Sequence, residues 1–366
     1  MKVAIVHYWM TNMGGGERVL QKLHALYPDA PIYTSVYNPD GMAEEFKSAD
    51  IRQTWLRFFP FKNRHQFFAV LRPFAFRSFD FSDYDVVITS DAADAKNIRV
   101  PDGVTHICYC HTPIRYYWSD YEHYLERPGF GILDPLVRLV LKILVKPLRR
   151  VDYRAAQKVD YFMANSKHIQ KRIKKYYGRD SEVVYPPVNV ERFKPSKTVK
   201  KSGFVHVGRM NTAKRIDLIV EACNQLKLPL TVAGRGTEWQ NLEKLAGPTV
   251  KVTGELSDDE ITDLIQKSEA FIFAAEEDFG ITPVEAMSAG TPVIAYGRAG
   301  VTESVIEGKT GMFFKAQTVG SIVQALKKFK ASDYKQGDMI AQAAKFSEDA
   351  FALNIKEFVN SKVERS

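Results

Sequence analysis

The sequence predicts an α/β protein of two Rossmann-like domains, and three observations carry that prediction. The chain has 366 residues, which at roughly 100 to 200 residues per domain favours two domains over one or three. Short β-type runs alternate with longer helix-type runs along the whole length, the pattern of parallel sheets covered by helices. The alternation stops once, in YPPVNVERFKPSKTVKKSG from Tyr185, where three prolines and many polar residues read as a linker. The expected division is therefore an N-terminal domain over 1–187, a linker over 188–202 and a C-terminal domain over 203–366 that ends in helices.

In the first domain, apolar and β-branched runs predict strands at 3–9, 31–37, 86–90, 105–110, 161–165 and 183–185. Apolar residues at helical spacing predict helices at 16–26, near 64–74, at 133–157 and at 167–177. The second domain repeats the pattern, with strands at 204–208, 230–233, 250–253, 270–273 and 292–295 and helices at 213–226, 238–245, 258–266 and 283–288. From about Gly320 onward the pattern is helical. No internal repeat or low-complexity tract interrupts it.

Composition narrows the class. Hydrophobic residues make up 45% and charged residues 26%, which excludes a disordered, collagen-like or disulfide-dense chain. Of the 3 cysteines, Cys108 and Cys110 sit two apart on one strand face, so neither a disulfide framework nor a zinc site is expected and a reducing cytosol fits best. The N-terminal apolar run is too short for a signal-peptide core and reads as the first strand. The greasiest stretch, 132–145, contains Asp134, Arg138 and Lys142, so no spanning helix is expected.

Net charge is +8, and residues 1–182 hold +7 of it. Two segments concentrate the excess. Arg52 to Arg77 has six basic residues, no acidic ones, seven phenylalanines and Trp55. Arg138, Lys142, Lys146, Arg150, Arg154 and Lys158 recur four apart, one face of a helix apart from any bend at Pro147. Basic residues beside aromatics suit the anionic inner face of a membrane, each cation contributing about 1 kcal/mol. A solvated helix over buried phenylalanines accounts for the same residues. No nucleic-acid-binding motif is visible, and no nucleic-acid partner is expected.

In open α/β sheets, ligands bind beyond the carboxyl ends of the strands, so chemistry is sought in the loops there. After the first strand come Gly14, Gly15 and Gly16, where bare backbone and a helix N-terminus suit a phosphate, although the spacing is not that of a dinucleotide fingerprint and a tight turn explains it too. In GRMNTAKRID, Arg209 and Lys214 flank a strand-to-helix turn and suit a diphosphate. In EDFGITPVEAMSAG, a carboxylate-bearing loop precedes a helix. There Glu277 can hold hexose hydroxyls and Glu285 ribose hydroxyls, with backbone N–H groups of Phe279, Gly280 and Ile281 aimed at the same ligand. Thr282-Pro283-Val284-Glu285 also reads as a capping box, which by itself would explain Glu285.

Glu277 and Glu285, with seven residues between them inside EDFGITPVEAMSAGTPVIA, resemble the E-x7-E signature of the large group 1 family of retaining GT-B glycosyltransferases. GRMNTAKRID, the glycine loop, VVYPPVNVERFKP and GELSDDEI fit that family in the same order. The resemblance implies two domains facing across a cleft. It assigns Arg209 and Lys214 to the donor diphosphate, Glu285 to the ribose, Glu277 to the transferred sugar and Gly14–Gly16 to the diphosphate. The family often has Glu-Gly-Phe-Gly where this chain has Glu277-Asp278-Phe279-Gly280. Ile107-Cys-Tyr-Cys-His111-Thr-Pro-Ile-Arg115 resembles a segment of bacterial O-antigen and capsule mannosyltransferases, which implies GDP-mannose as donor and a lipid-linked saccharide as acceptor. By that likeness His111 meets the donor sugar or acceptor, with Lys96 and Arg115 assisting on charged acceptor groups.

The implied reaction moves a hexose from a nucleoside diphosphate to a hydroxyl with retention. Its largest protein contribution is positive charge on the departing diphosphate. No protein nucleophile, cofactor or metal is expected, since Asp258-Asp259-Glu260 opens a helix, where acidic residues are ordinarily favourable. The expected location is cytoplasmic, peripheral on the membrane. Rival readings are a UDP-sugar-dependent transferase of the same fold, a sugar-nucleotide epimerase, or a basic membrane- or nucleic-acid-binding protein.

Overall fold

The computed structural model describes residues 1–59, 68–126, 128–129, 131–195 and 200–363. It divides into two compact units, one formed by Met1–Tyr185 with Ala352–Ser366 and the other by Pro186–Phe351.

The first unit is a parallel seven-stranded sheet of β1 (Val3–His7), β2 (Ile32–Thr34), β3 (Ile51–Gln53), β4 (Val86–Asp91), β5 (Thr105–Cys110), β6 (Tyr161–Ala164) and β7 (Glu182–Val183), in the order β3-β2-β1-β4-β5-β6-β7. Strands β1, β4 and β5 are buried throughout, which is why they read as unbroken apolar runs rather than alternating ones. The edge strand β3 has only three residues, none buried, and carried no such signal. The helix expected near 64–74 lies partly outside the described residues, and its described part contains a short helix, Arg72–Ala75.

The second unit is a parallel six-stranded sheet of β8 (Phe204–Val207), β9 (Leu230–Ala233), β10 (Val250–Thr253), β11 (Ala270–Phe273), β12 (Val293–Tyr296) and β13 (Gly311–Phe314), in the order β10-β9-β8-β11-β12-β13. Edge strand β13 was also absent from the sequence reading. Helix Ile216–Leu226 turns Ile216, Ile219, Val220 and Cys223 into a core that Val232, Ile272, Ile294 and Leu326 complete.

Two boundaries differ from expectation. The segment through Pro195 is not a free linker. Asn189 caps a short helix, Val190–Phe193, by accepting from Arg192 N–H, and Gln266 Nε2 donates to the Phe193 carbonyl at 3.0 Å. Val190 and Phe193 are apolar enough to be buried within the second unit. At the other end, helix Glu348–Val363 leaves the second unit, and from Ala352 onward it groups with the first, where Lys362 Nζ donates to Glu182 Oε1 at 2.6 Å.

In each sheet the strand order reverses at one place, beside β1 and β4 in the first and beside β8 and β11 in the second. Loops leaving the carboxyl ends of neighbouring strands diverge at such a reversal and open a crevice.

Candidate active site

In the second unit the reversal brings together residues that lie far apart in sequence. Arg209 follows β8 and is exposed, and Lys214 ends a short 3-10 turn, Thr212–Lys214. Arg215, in the left-handed region at φ 51°, then starts helix Ile216–Leu226. Glu277 follows β11, the strand beside β8, and its carboxylate pairs with the Lys214 ammonium. The Glu277 carbonyl accepts from Gly300 N–H at 2.9 Å, which pins the loop. Beneath the pair, His206 Nδ1 donates to the Ile272 carbonyl at 2.9 Å, so Nε2 carries a lone pair. Burial pushes the His206 pKa down to about 4, keeping the ring neutral. His206 was missed from sequence, although a histidine within a buried apolar strand was the available signal.

The capping-box explanation for Glu285 fails on helix register. The helix runs Ile281–Ser288, and its N-cap is Gly280, with no side-chain cap. Gly280 has φ 88°, a conformation in which a side chain is strained. Thr282 is thus inside the helix, whereas Ser257 and Glu260 do form a reciprocal capping box on helix Asp258–Gln266. Glu285 is buried on the second turn, and Phe279 packs its ring on Phe346 with centroids 5.4 Å apart, leaving only its backbone for a ligand. Beyond β9 and β10, Arg235, Gly236, Trp239 and Gly254 line an open hollow of about 480 Å³.

In the first unit the glycine loop opens helix Gly15–Leu26, with Gly14 as N-cap. Internal packing already crowds two of the glycines. A Cβ on Gly16 would overlap the Tyr8 hydroxyl, and one on Gly14 would come within 2.9 Å of Glu17 Oε2. Parallel register sets His7 of β1 beside Ser90 of β4. His7 Nδ1 lies 3.0 Å from Ser90 Oγ, which lies 2.8 Å from His111 Nε2 at the end of β5. Glu17 Oε1 lies 3.5 Å from His7 Nε2, long for a hydrogen bond. Glu17, His7 and Ser90 were not singled out from sequence, because strand register sets their proximity.

Lys96 does not face an acceptor. It is 1% exposed, with its ammonium 2.9 Å from Asp91 Oδ2 and 2.6 Å from Asp152 Oδ1. Burial alone would discharge it, but the Asp152 and Asp91 carboxylates outweigh that effect and hold its pKa well above the ordinary lysine value. Arg72 beside it pairs with Asp94 at 2.8 Å, yet burial pushes the Asp94 carboxyl up to about 6. Arg115 is partly exposed, 3.6 Å from Asp120 Oδ2.

The proposed lipid face also changes. Helix Asp134–Gln157 continues through Pro147 and buries no residue before Val145. Arg138 is half-buried, its Nε donating to the Leu125 carbonyl at 2.7 Å and its NH2 to the Glu126 carbonyl at 3.2 Å. The exposed stripe is apolar first, with Ile132 (98% exposed), Leu136, Leu139 and Ile143, and then basic, with Lys142, Lys146 and Arg150. Trp55, Phe58, Phe59 and Phe74 are exposed as well. Among the described residues, no helix is long and apolar enough to cross a membrane.

Known proteins resemble both halves. Residues 13–192 match the family described as Glycosyltransferase Family 4, and residues 188–346 match Glycosyl transferases group 1. The chain is 28% identical over 273 residues to the sulfoquinovosyl transferase SQD2 of Arabidopsis thaliana, covering 71% of this chain and 51% of that protein, about half its length. It is 25% identical over 373 residues to the alpha-1,3/1,6-mannosyltransferase alg2 of Schizosaccharomyces pombe, covering 85% and 70%. Among solved structures, the sucrose-phosphate synthase of Thermosynechococcus elongatus superposes with a TM-score of 0.74 at 16% identity over 100% of both chains. Anabaena Alr3699/HepE in complex with UDP gives 0.71 at 17% identity, covering 99% and 100%. With two such sheets and family matches that together run from residue 13 to residue 346, the chain has the GT-B fold and matches glycosyltransferase families along both of its halves.

Proposed function

We propose that the protein is a retaining hexosyltransferase that moves mannose from GDP-mannose onto a lipid-linked saccharide in bacterial surface-polysaccharide synthesis. The observation that carries the donor site is the meeting of Lys214 and Glu277 at the sheet's reversal point, where β8 and β11 are neighbours. Arg209 and Lys214 neutralise the diphosphate, Glu277 turns from its ion pair to the sugar, Glu285 holds the ribose, and the hollow beside Arg235 and Trp239 takes the base. Departure of the nucleoside diphosphate creates negative charge, so fixed cations there lower the barrier. Mannose is favoured by the HTPIRYY segment and by the likeness to a mannosyltransferase over 85% of the chain. UDP-sugar use is the second reading, favoured by the structural relatives that hold UDP or UDP-glucose.

Calorimetric titration with GDP and UDP, followed by turnover of their sugars, tests the donor. GDP is expected to bind at least ~10-fold more tightly, about 1.4 kcal/mol. Tighter UDP binding with turnover of a UDP-sugar overturns the mannose reading and leaves the enzyme class standing.

The acceptor's lipid anchor fits an enzyme that docks on an anionic membrane through helix Asp134–Gln157. Its apolar first half enters the interface while Lys142, Lys146 and Arg150 meet lipid phosphates. Sedimentation with anionic liposomes is expected. Charge reversal at Lys142, Lys146 and Arg150 should weaken it more than three reversals after residue 200 do. Equal losses would mean that net charge alone drives binding.

A further inference from the structure

We propose that Lys201 is a nucleophilic lysine that takes a short acyl group from an activated acyl donor, and that its acylation releases the C-terminal end of helix Ile281–Ser288. The consequence for nucleotide binding rests on the reading that Glu285 of that helix holds the ribose, while the chemistry of Lys201 rests only on geometry within the second unit.

Lys201 stands just before β8, where Ser202 N–H donates to the Lys267 carbonyl at 2.8 Å and fixes the backbone. Its side chain is half-buried and lines a cavity of about 140 Å³, with Ala289, Pro292 and Met339 as an apolar wall and Glu269, Tyr334 and Gln336 as polar neighbours. The Lys201 ammonium donates to the Gly290 carbonyl at 2.9 Å and to Thr291 Oγ1 at 2.7 Å. Thr291 is fully buried and donates its own hydroxyl proton to the Ile265 carbonyl at 2.7 Å, so its oxygen is left to accept from Lys201. Both partners are neutral. Among the described residues no carboxylate pairs with Lys201, and Glu269 and Tyr334, the other titratable groups on the cavity, neither bond to it nor pair with it.

Nothing in these contacts requires the charge. An ammonium has three N–H groups and the protein accepts from two of them, so loss of the third proton keeps both hydrogen bonds and leaves a lone pair on Nζ. Burial favours that loss and pushes the Lys201 pKa down to about 8. About half of it is then neutral at pH 8, against roughly 0.4% of a lysine at its ordinary value.

The step is acyl transfer. The Nζ lone pair attacks the carbonyl carbon of an acyl phosphate or thioester, and an N–C bond forms. The C–O or C–S bond breaks, phosphate or thiolate leaves with the electron pair, and the surplus amine proton passes to solvent. The product amide has one N–H, so it keeps at most one of the bonds to Gly290 and Thr291. The positive charge that suited the carbonyl end of the helix is lost as well. Gly290 and Thr291 directly follow that helix, their N–H groups donating to the Met287 and Ala286 carbonyls at 2.9 Å each, so the tie that is lost is one that holds the helix end.

The test exposes the full-length protein to trace acetyl phosphate and, separately, to trace acetyl-coenzyme A, and reads acetylation at Lys201 and at the exposed Lys200 by peptide mass spectrometry. At pH 8 Lys201 should react roughly 10-fold faster, because its lower basicity weakens the nucleophile and cancels part of the ~100-fold advantage in neutral form. Its rate should level off above pH 9 while that of Lys200 still rises. The probe that labels Lys201 faster identifies the acyl source. Equal rates at the two lysines with both probes, or a Lys201 rate that rises in step with Lys200 above pH 9, overturn the proposal.

Release of the helix end is read by hydrogen exchange. Amides of residues 286–291 should exchange roughly 5-fold faster in Lys201→Gln, which carries a neutral amide, than in wild type, the size expected for one lost hydrogen bond. Lys201→Arg, which keeps the charge, should exchange as wild type does. If Lys201→Gln fails to fold, wild type and Lys201→Arg treated alike with acetyl phosphate give the same comparison. Unchanged exchange overturns the release. Nucleotide binding should weaken in Lys201→Gln, and faster exchange with unchanged binding would defeat the ribose reading of Glu285 while the acylation site stands.

Discussion

Alanine at Lys214 is expected to lower kcat by a factor of roughly 100 or more, on the order of 3 kcal/mol of transition-state stabilisation, with no change in melting temperature. The fold should tolerate the change because Lys214 sits at the end of a short 3-10 turn on the unit's surface, and its partner Glu277 is 24% exposed and can be rehydrated. Arg209→Ala should behave alike, since Arg209 is exposed beside it. A second measurement separates charge stabilisation from simple binding. Cleavage turns the sugar diphosphate into a free diphosphate with more negative charge, so Lys214→Ala should weaken nucleoside diphosphate binding more than binding of the intact donor. Near-normal turnover in both folded variants would remove the diphosphate role. Equal weakening of product and donor would leave the lysine as a ground-state contact.

Much of this arrangement was legible in the sequence because parallel strands buried on both faces leave continuous apolar runs, as at Thr105–Cys110 and Ala270–Phe273. Two edge strands, Ile51–Gln53 and Gly311–Phe314, escaped, both short and incompletely buried, although the edge strand Val250–Thr253 was legible. Spacing within one loop was also informative, and Arg209, Lys214 and Glu277 lie at one reversal point as the motifs imply. Pairing across strands was not. Nothing local says that His7 meets Ser90, or that Asp152 on a later helix reaches Lys96. Periodicity also leaves open which stripe of a helix is covered. In Asp134–Gln157 the buried stripe begins only at Val145, so leucines that resemble core residues stand in solvent while Arg138 is half-buried against the Leu125 and Glu126 carbonyls. The Thr-x-x-Glu pattern misled for a similar reason, because a glycine cap at Gly280, free to take positive φ, starts the helix earlier than a threonine cap would.

Lys96→Met is expected to cost about 3–5 kcal/mol of stability, lowering the melting temperature by about 10 °C, because it strands two buried carboxylates. Methionine keeps most of the volume and loses the charge, so the effect isolates electrostatics from packing. Asp91 and Asp152 are each 1% exposed and share that single ammonium. Asp152 Oδ2 keeps two other donors, Trp118 Nε1 at 2.7 Å and the Tyr177 hydroxyl at 2.9 Å. Asp91 Oδ1 keeps the backbone N–H groups of Ala93 and Ala95. These neutral donors soften the loss but do not cancel a full charge, and one carboxylate must take up a proton for the unit to stay folded. The variant should therefore regain stability relative to wild type as pH falls, beyond the gain that Asp94, held at about 6, gives both proteins, because the wild-type Asp91 carboxyl lies below its ordinary value. Because every residue of this cluster belongs to the first unit, nucleotide binding at the Arg209 and Lys214 site should survive in Lys96→Met at temperatures where it is folded. Wild-type thermal stability in Lys96→Met would mean that the triad contributes nothing net. Loss of nucleotide binding in the folded variant would mean that nucleotide affinity depends on the packing of the first unit as well as on Arg209 and Lys214.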